Sequence, residues 1–257
     1  MEICSPSMRT CSCRRCLQNK MELVLSSRNQ KKITEVEELL HHFCAGDVTL
    51  SSLDAIGYTE NIIEDGQSFA ENAVIKAAVP AARGYAGIAD DSGLCVDALR
   101  GAPGIYSARY AGADATDARN NARLLQELTD IPPEQRGGEF VCVMAYVCPA
   151  ERMPDALRVR LAAAGASFRD TFATEKAGVP LAAFTIEGRC RGRVLDAPAG
   201  DGGFGYDPLF YVEKYDKTFA QLTSDEKNAI SHRGAAMAAF ASLLQIVQDW
   251  EREYAHR

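Results

Sequence analysis

The chain has 257 residues, 47% apolar and 25% charged, with a formal net charge of −7. Such a length and balance suit a globular chain with a substantial core in one large domain or two lobes, while the acidic excess argues against wrapping polymeric nucleic acid, which needs a basic stripe. No apolar run reaches the roughly 18 residues of a membrane span, and residues 1–20 lack the hydrophobic stretch of a secretory signal, so a cytoplasmic protein without membrane attachment is expected.

Four of the nine cysteines, Cys4, Cys11, Cys13 and Cys16, fall in that polar, basic N-terminal stretch. Outside a secretory context they read as thiols, and Cys-x-Cys-x-x-Cys lacks the second ligand pair of a zinc site. Residues 1–20 read as a disordered extension or as sequence upstream of a true start at Met21; residues 21–257 read as a single domain of two lobes.

Met21 opens a strand, Glu22 to Leu25. The polar turn Ser26-Ser27-Arg28-Asn29-Gln30-Lys31-Lys32 follows, and then Ile33, Val36, Leu39, Leu40 and Phe43 recur at helical spacing. Strand, polar turn and helix N-terminus form an anion seat, to which Lys32 adds a full charge, although the same letters also make an ordinary helix cap. Val48 to Leu50 reads as a strand and residues 60–66 as an acidic loop. Ser68 and Glu71 predict a capping box for a helix that carries Lys76 and ends near Pro80 and Gly84.

Tyr85 to Ala89 reads as a strand that stops at Asp90-Asp91-Ser92-Gly93. Acids at the carboxyl end of a strand are placed to hold a cation or to activate water, though Asp-Asp-Ser-Gly is also turn composition. Glu64, Lys76 and Asp91 come from three successive elements that can meet at one sheet edge. Leu94 to Leu99 reads as further strand, residues 101–104 as a turn, 115–128 as a helix, and Phe140 to Val147 as the most hydrophobic strand. Residues 151–183, alanine-rich and charged, read as an insertion forming an exposed hairpin or helix.

The run Gly202-Gly203-Phe204-Gly205-Tyr206-Asp207 lets backbone approach a ligand while presenting a ring, the kind of face on which a nucleobase stacks; a glycine loop with two core aromatics is the plainer alternative. Thr223 and Glu226 cap a short helix with Lys227. His232 and Arg233 open the last helix, whose stripe of Met237, Phe240, Leu244 and Val247 is core.

Taken in order, Ser68 to Ala73 with Lys76, Ile88 to Gly93, Gly101 to Tyr110, Gly202 to Pro208, and Glu226-Lys227 with Ile230 to Gly234 resemble the inosine triphosphate pyrophosphatase family. The resemblance implies an α/β fold, an elongated mixed sheet flanked by helices in two lobes with the cleft between them, and a homodimer. It implies hydrolysis of non-canonical purine nucleoside triphosphates (ITP, dITP, XTP) to the monophosphate and pyrophosphate. Asp91 matches the general base and metal position, with Glu64 as a second acid on Mg²⁺. Ser27, Arg28, Asn29, Gln30, Lys31 and Lys32 span the phosphate turn, and Lys76 and Ser92 match further substrate contacts. Phe204, Gly205, Tyr206 and Asp207 match the base loop, and Lys227, His232 and Arg233 match positions around the base. Asp90 is expected only to shape the turn.

Arg28 stands where the family commonly has glycine, and Cys190 stands near the usual place of an aromatic. A Maf-like pyrophosphatase for modified nucleotides and a non-catalytic nucleotide-binding module are the alternatives; the Gly202–Asp207 loop with His232-Arg233 argues against the first, and Glu64, Lys76 and Asp91 against the second.

Overall fold

The computed structural model of the protein describes residues 20–44 and 48–254, so the N-terminal extension and its cysteines lie outside the described residues. Three long antiparallel strands form its spine: β3 (Gly87–Val96), β4 (Gly137–Pro149) and β6 (Leu181–Val194). Beside β3, the short strands β1 (Met21–Leu25) and β2 (Val48–Ser52) add parallel pairings. On the far side, β7 (Phe210–Val212) and β8 (Lys217–Thr218) complete the order β2-β1-β3-β4-β6-β7-β8, and β5 (Ser167–Phe168) pairs with β6. The sheet is therefore mixed, as expected.

Helices cover both faces, and β4 shows why. Its residues alternate: Cys142, Met144, Tyr146 and Cys148 pack with α1 (Gln30–Cys44), α4 (Asp155–Ala163) and α7 (His232–Tyr254). Val141, Val143, Ala145 and Val147 pack instead with α2 (Phe69–Ala81) and α5 (Asp170–Ala177). A strand buried on both faces reads as a continuous apolar run, the pattern seen in Phe140 to Val147. A further hydrophobic cluster forms around Phe140, Phe210, Phe219, Leu94 and Leu124, the last from α3 (Asp117–Glu127). α6 (Ser224–Ile230) closes the set and carries the expected Thr223–Glu226 capping box.

Four expectations need correction. β3 does not stop at the acid pair but runs on to Val96, and Asp97–Leu99 is a 3₁₀ turn rather than strand. The strand tolerates two carboxylates because each has a cation partner. Gly93 is required there, since a Cβ would lie 2.4 Å from the Gly104 carbonyl oxygen. The Ser68 capping box is only half formed: Ser68 Oγ accepts from the Glu71 N–H, but the Glu71 carboxylate accepts from Gln67 N–H at 2.6 Å. Residues 151–183 are not an exposed appendage; they supply α4, β5 and α5, with Leu157, Leu161 and Ala173 fully buried. Leu157 and Leu161 pack into the core on one side of the sheet with Phe168, and Ala173 packs on the other with Phe172. Among the described residues no helix is long and apolar enough to cross a membrane.

Candidate active site

Side chains on a strand alternate between its faces, so the neighbours Asp90 and Asp91 enter different surroundings. Asp91 meets α2, where Lys76 Nζ lies 3.1 Å from its Oδ1 and the Asn72 amide donates to its Oδ2 at 3.2 Å. The same Lys76 ammonium lies 2.9 Å from Glu64 Oε2, so one cation bridges two carboxylates. Asn72, entirely buried, also accepts from Gly66 N–H at 2.9 Å and thereby ties the Glu64 loop to Asp91. Burial pushes the Asp91 carboxyl above its usual range, against the pull of Lys76 and Lys32. Burial disfavours the Lys76 charge, but Asp91, Glu64 and Asp90 outweigh it and the ammonium is held above its ordinary value.

Asp90 sits on the opposite face, between Lys32 Nζ and Arg233 Nη2, each at 3.2 Å. Burial alone would raise its pKa, yet Lys32, Arg233 and Lys76 hold it well below the usual carboxylate range. It is a buried anchor for two cations, not the turn-shaping residue expected. Arg233 Nη2 also donates to Ser92 Oγ at 3.0 Å, and Nη1 pairs with Glu35 from α1. Glu35 lies 3.3 Å from Lys227 Nζ as well, and Lys227 lies 2.9 Å from Asp207 Oδ2. Alternating charges thus run from Lys32 through Asp90, Arg233, Glu35 and Lys227 to Asp207. Each buried charge has an opposite neighbour, the condition for keeping it ionised away from water.

Asp207 in turn accepts from the Phe204 N–H at 2.8 Å and fixes the glycine loop. The Phe204 ring has Lys227 Nζ at 5.1 Å, Lys31 Nζ at 5.7 Å and the Arg233 guanidinium carbon at 5.8 Å from its centroid. His232 is buried and stacks on Phe140 with centroids 4.7 Å apart. Burial, reinforced by Arg233 and Lys227, holds its pKa well below the ordinary value, so the ring is neutral. His232 Nδ1 and Arg233 Nε have no hydrogen-bond partner among the described residues, two polar atoms suited to a ligand that brings its own partners.

Most of these groups border one cleft of about 570 Å³, a size that suits a small organic ligand, while Glu35 and Asn72 stand behind its lining. Ser27, Arg28, Asn29 and Lys32 line one part of it, with Glu64, Lys76, Asp91 and Ser92; Phe204, Gly205, Tyr206, Asp207, Lys227, His232 and Arg233 line another.

The sequence model of the Ham1 family matches residues 23–158 and 150–243. The chain belongs to the Ham1 family. Among relatives of this Ham1 chain is the dITP/XTP pyrophosphatase of Desulfotalea psychrophila, 42% identical over 230 residues that cover 89% of the chain and 87% of that protein. The dITP/XTP pyrophosphatase of Desulforamulus reducens is 41% identical, covering 87% and 96%. The Ham1 protein of Staphylococcus aureus superposes with a TM-score of 0.69 at 34% identity, covering 87% and 98%.

Within the Ham1 chain two phosphate-turn residues named from sequence, Gln30 and Lys31, do not line the cleft. The Arg28 guanidinium donates to Asn61 Oδ1 at 3.1 Å and to the Tyr58 carbonyl at 3.3 Å, which ties the turn to the next loop. Asn29 Oδ1 accepts from the N–H groups of Lys31 and Lys32, at 3.1 and 3.3 Å, and so caps α1. Tyr206 is buried and donates to the Ser107 carbonyl at 2.9 Å; it builds the wall, while Phe204 presents the ring. Glu35 and the cleft-lining Asp117 were not singled out from the sequence, and Asn72, inside the Ser68 to Ala73 run that carries the resemblance, was given no role. Their only local signal is an acid or amide in a helix, which usually marks a solvated face or a cap.

Proposed function

We propose that the chain hydrolyses purine nucleoside triphosphates bearing a 6-oxo base, ITP, dITP and XTP, to the monophosphate and pyrophosphate, and so clears them from the nucleotide pool. One observation carries the reading: a single cleft holds the Glu64–Lys76–Asp91 bridge in one part and the Phe204 ring with Lys227, His232 and Arg233 in another. The relatives' dITP/XTP pyrophosphatase activity supports it.

In this reading Ser27, Asn29 and Lys32 bind phosphate oxygens at the start of α1, where N–H groups and helix dipole favour anions. Asp91 orients the attacking water and takes its proton. Lys76 offsets negative charge between the carboxylates and the triphosphate. Phe204 stacks on the purine. Donors at Lys227, His232 and Arg233 meet the 6-oxo group, against which the adenine amino group leaves donors unpaired.

The donor set fits Mg²⁺. Glu64 and Asp91 offer hard oxygen ligands around one point, now shared by the Lys76 ammonium, and the described residues hold no group of three or more His, Cys, Asp or Glu suited to a metal. One or two carboxylates, with water and substrate phosphate completing the shell, is the usual magnesium arrangement. When bound there, the ion supplies charge neutralisation on the phosphates. The proposal extends to a homodimer working in the cytoplasm, in line with the sequence resemblance.

Hydrolysis in ¹⁸O-water tests the reaction type. Attack at the α-phosphorus places the label in IMP and releases unlabelled pyrophosphate; IDP with labelled inorganic phosphate would contradict it.

A further inference from the structure

Two residues of α3 grip a single residue of the base loop. The Gly205 N–H donates to Asp117 Oδ2 at 2.9 Å, and the Asn121 side-chain amide donates to the Gly205 carbonyl at 3.0 Å. Asp117 and Asn121 are four positions apart and so share one face of the helix. Gly205 has φ +61, in the left-handed region open to glycine at little cost, and both of its peptide groups are taken up by the helix. Between the two, Asn120 holds a second wall of the cleft: its Oδ1 accepts from Ala111 N–H at 2.8 Å and its Nδ2 donates to the Ala108 carbonyl at 3.2 Å. The walls are also joined directly by the Tyr206 hydroxyl on the Ser107 carbonyl.

Phe204 precedes Gly205 and is held on its other side by Asp207, which accepts from the Phe204 N–H at 2.8 Å. The ring's position therefore depends on two restraints, one inside the loop and one from α3. Thr116, which caps α3 by accepting from Arg119 N–H at 3.3 Å, fixes the helix start and with it the place of Asp117.

We propose that Asp117 and Asn121 are positioning residues that set the Phe204 ring against the purine, so that α3, remote in sequence from the loop, controls base affinity. This rests on Phe204 being the base platform. Without the clip the loop keeps its fold through Asp207 and Tyr206 but loses its register on α3, and part of the binding energy is spent in re-ordering it.

Amide hydrogen exchange in the ligand-free protein tests the clip without reference to substrate. In Asp117→Ala, exchange over residues 203–207 rises about tenfold, the loss of one hydrogen bond to a charged acceptor, while residues 141–147 of β4 are unchanged. Unchanged exchange in the loop overturns the clip. Steady-state kinetics with ITP test its role: Asp117→Ala and Asn121→Ala each raise KM about three- to tenfold with kcat within about twofold. Asp117→Asn, which keeps an acceptor oxygen, recovers most of the loss. A fall confined to kcat, or equal losses in Asp117→Ala and Asp117→Asn, contradicts the proposal. Failure of the unsubstituted protein to hydrolyse ITP counts against the proposed function, and the exchange experiment still decides the clip.

Discussion

Asp90 and Asp91 are adjacent in sequence but face opposite sides of β3, one locked between Lys32 and Arg233, the other against Lys76 and Asn72. The period of two in a strand divides stability from chemistry at neighbouring positions. Asp90→Asn is expected to destabilise the fold by about 3 kcal/mol, because it leaves buried Arg233 and Lys32 short of a counter-charge. Asp91→Asn should fold nearly as well while losing at least about a hundredfold in kcat. Urea unfolding alongside ITP turnover separates them; equal stability losses, or an active Asp91→Asn, would refute the division.

Lys76 holds two carboxylates together, so Lys76→Met leaves Glu64 and Asp91 repelling each other. The variant should melt at lower temperature at pH 7, and the deficit should shrink as pH falls through the carboxylate range, where protonation of either acid removes the repulsion. Added Mg²⁺ should raise its Tm more than that of the unsubstituted protein, since a bound cation replaces the missing charge. A Tm indifferent to Mg²⁺ in both proteins would remove these carboxylates as the metal site.

The readable parts of the sequence were those in which chemistry is written locally. The phosphate turn, the glycine loop and the His232-Arg233 helix start each combine a distinctive residue set with a backbone need, and the apolar run of β4 announces a strand buried on both faces. The passage of β3 through Asp90 and Asp91 was not readable. Its justification lies in Arg233, 143 residues away, and in Lys32 and Lys76 on two different helices. Glu35 is hidden for the same reason: Lys227 and Arg233 lie 192 and 198 residues further on, and on α1 alone it resembles one more solvated acid. Residues 151–183 misled through their composition: α4 does leave Ala156, Ala162 and Ala163 exposed, but it buries Leu157 and Leu161, two leucines on one side of the helix.

His232 predicts a pH dependence of stability. Its folded pKa is depressed by burial and by Arg233 and Lys227, so below its ordinary value of 6.5 the unfolded chain binds a proton that the folded one does not. Its contribution is full above that pH and is lost as pH falls, by up to about 1.4 kcal/mol per unit. His232→Phe, which keeps the stacking on Phe140, should flatten the slope between pH 6.5 and 5. An unchanged slope would mean that His232 is protonated in the folded protein or that other groups dominate.

The central claim is that one cleft joins phosphoanhydride hydrolysis to recognition of a 6-oxo purine. Its most direct test is kcat/KM for pyrophosphate release from ITP, dITP, XTP, GTP and ATP with Mg²⁺ present. ITP, dITP and XTP should each exceed ATP by at least about a hundredfold, the discrimination available when a mismatched group leaves buried donors unpaired; GTP shares the 6-oxo group and reports separately on the space around the 2-amino position. Equal turnover of ITP and ATP would contradict the base recognition assigned here, and no turnover of any triphosphate would contradict the account as a whole.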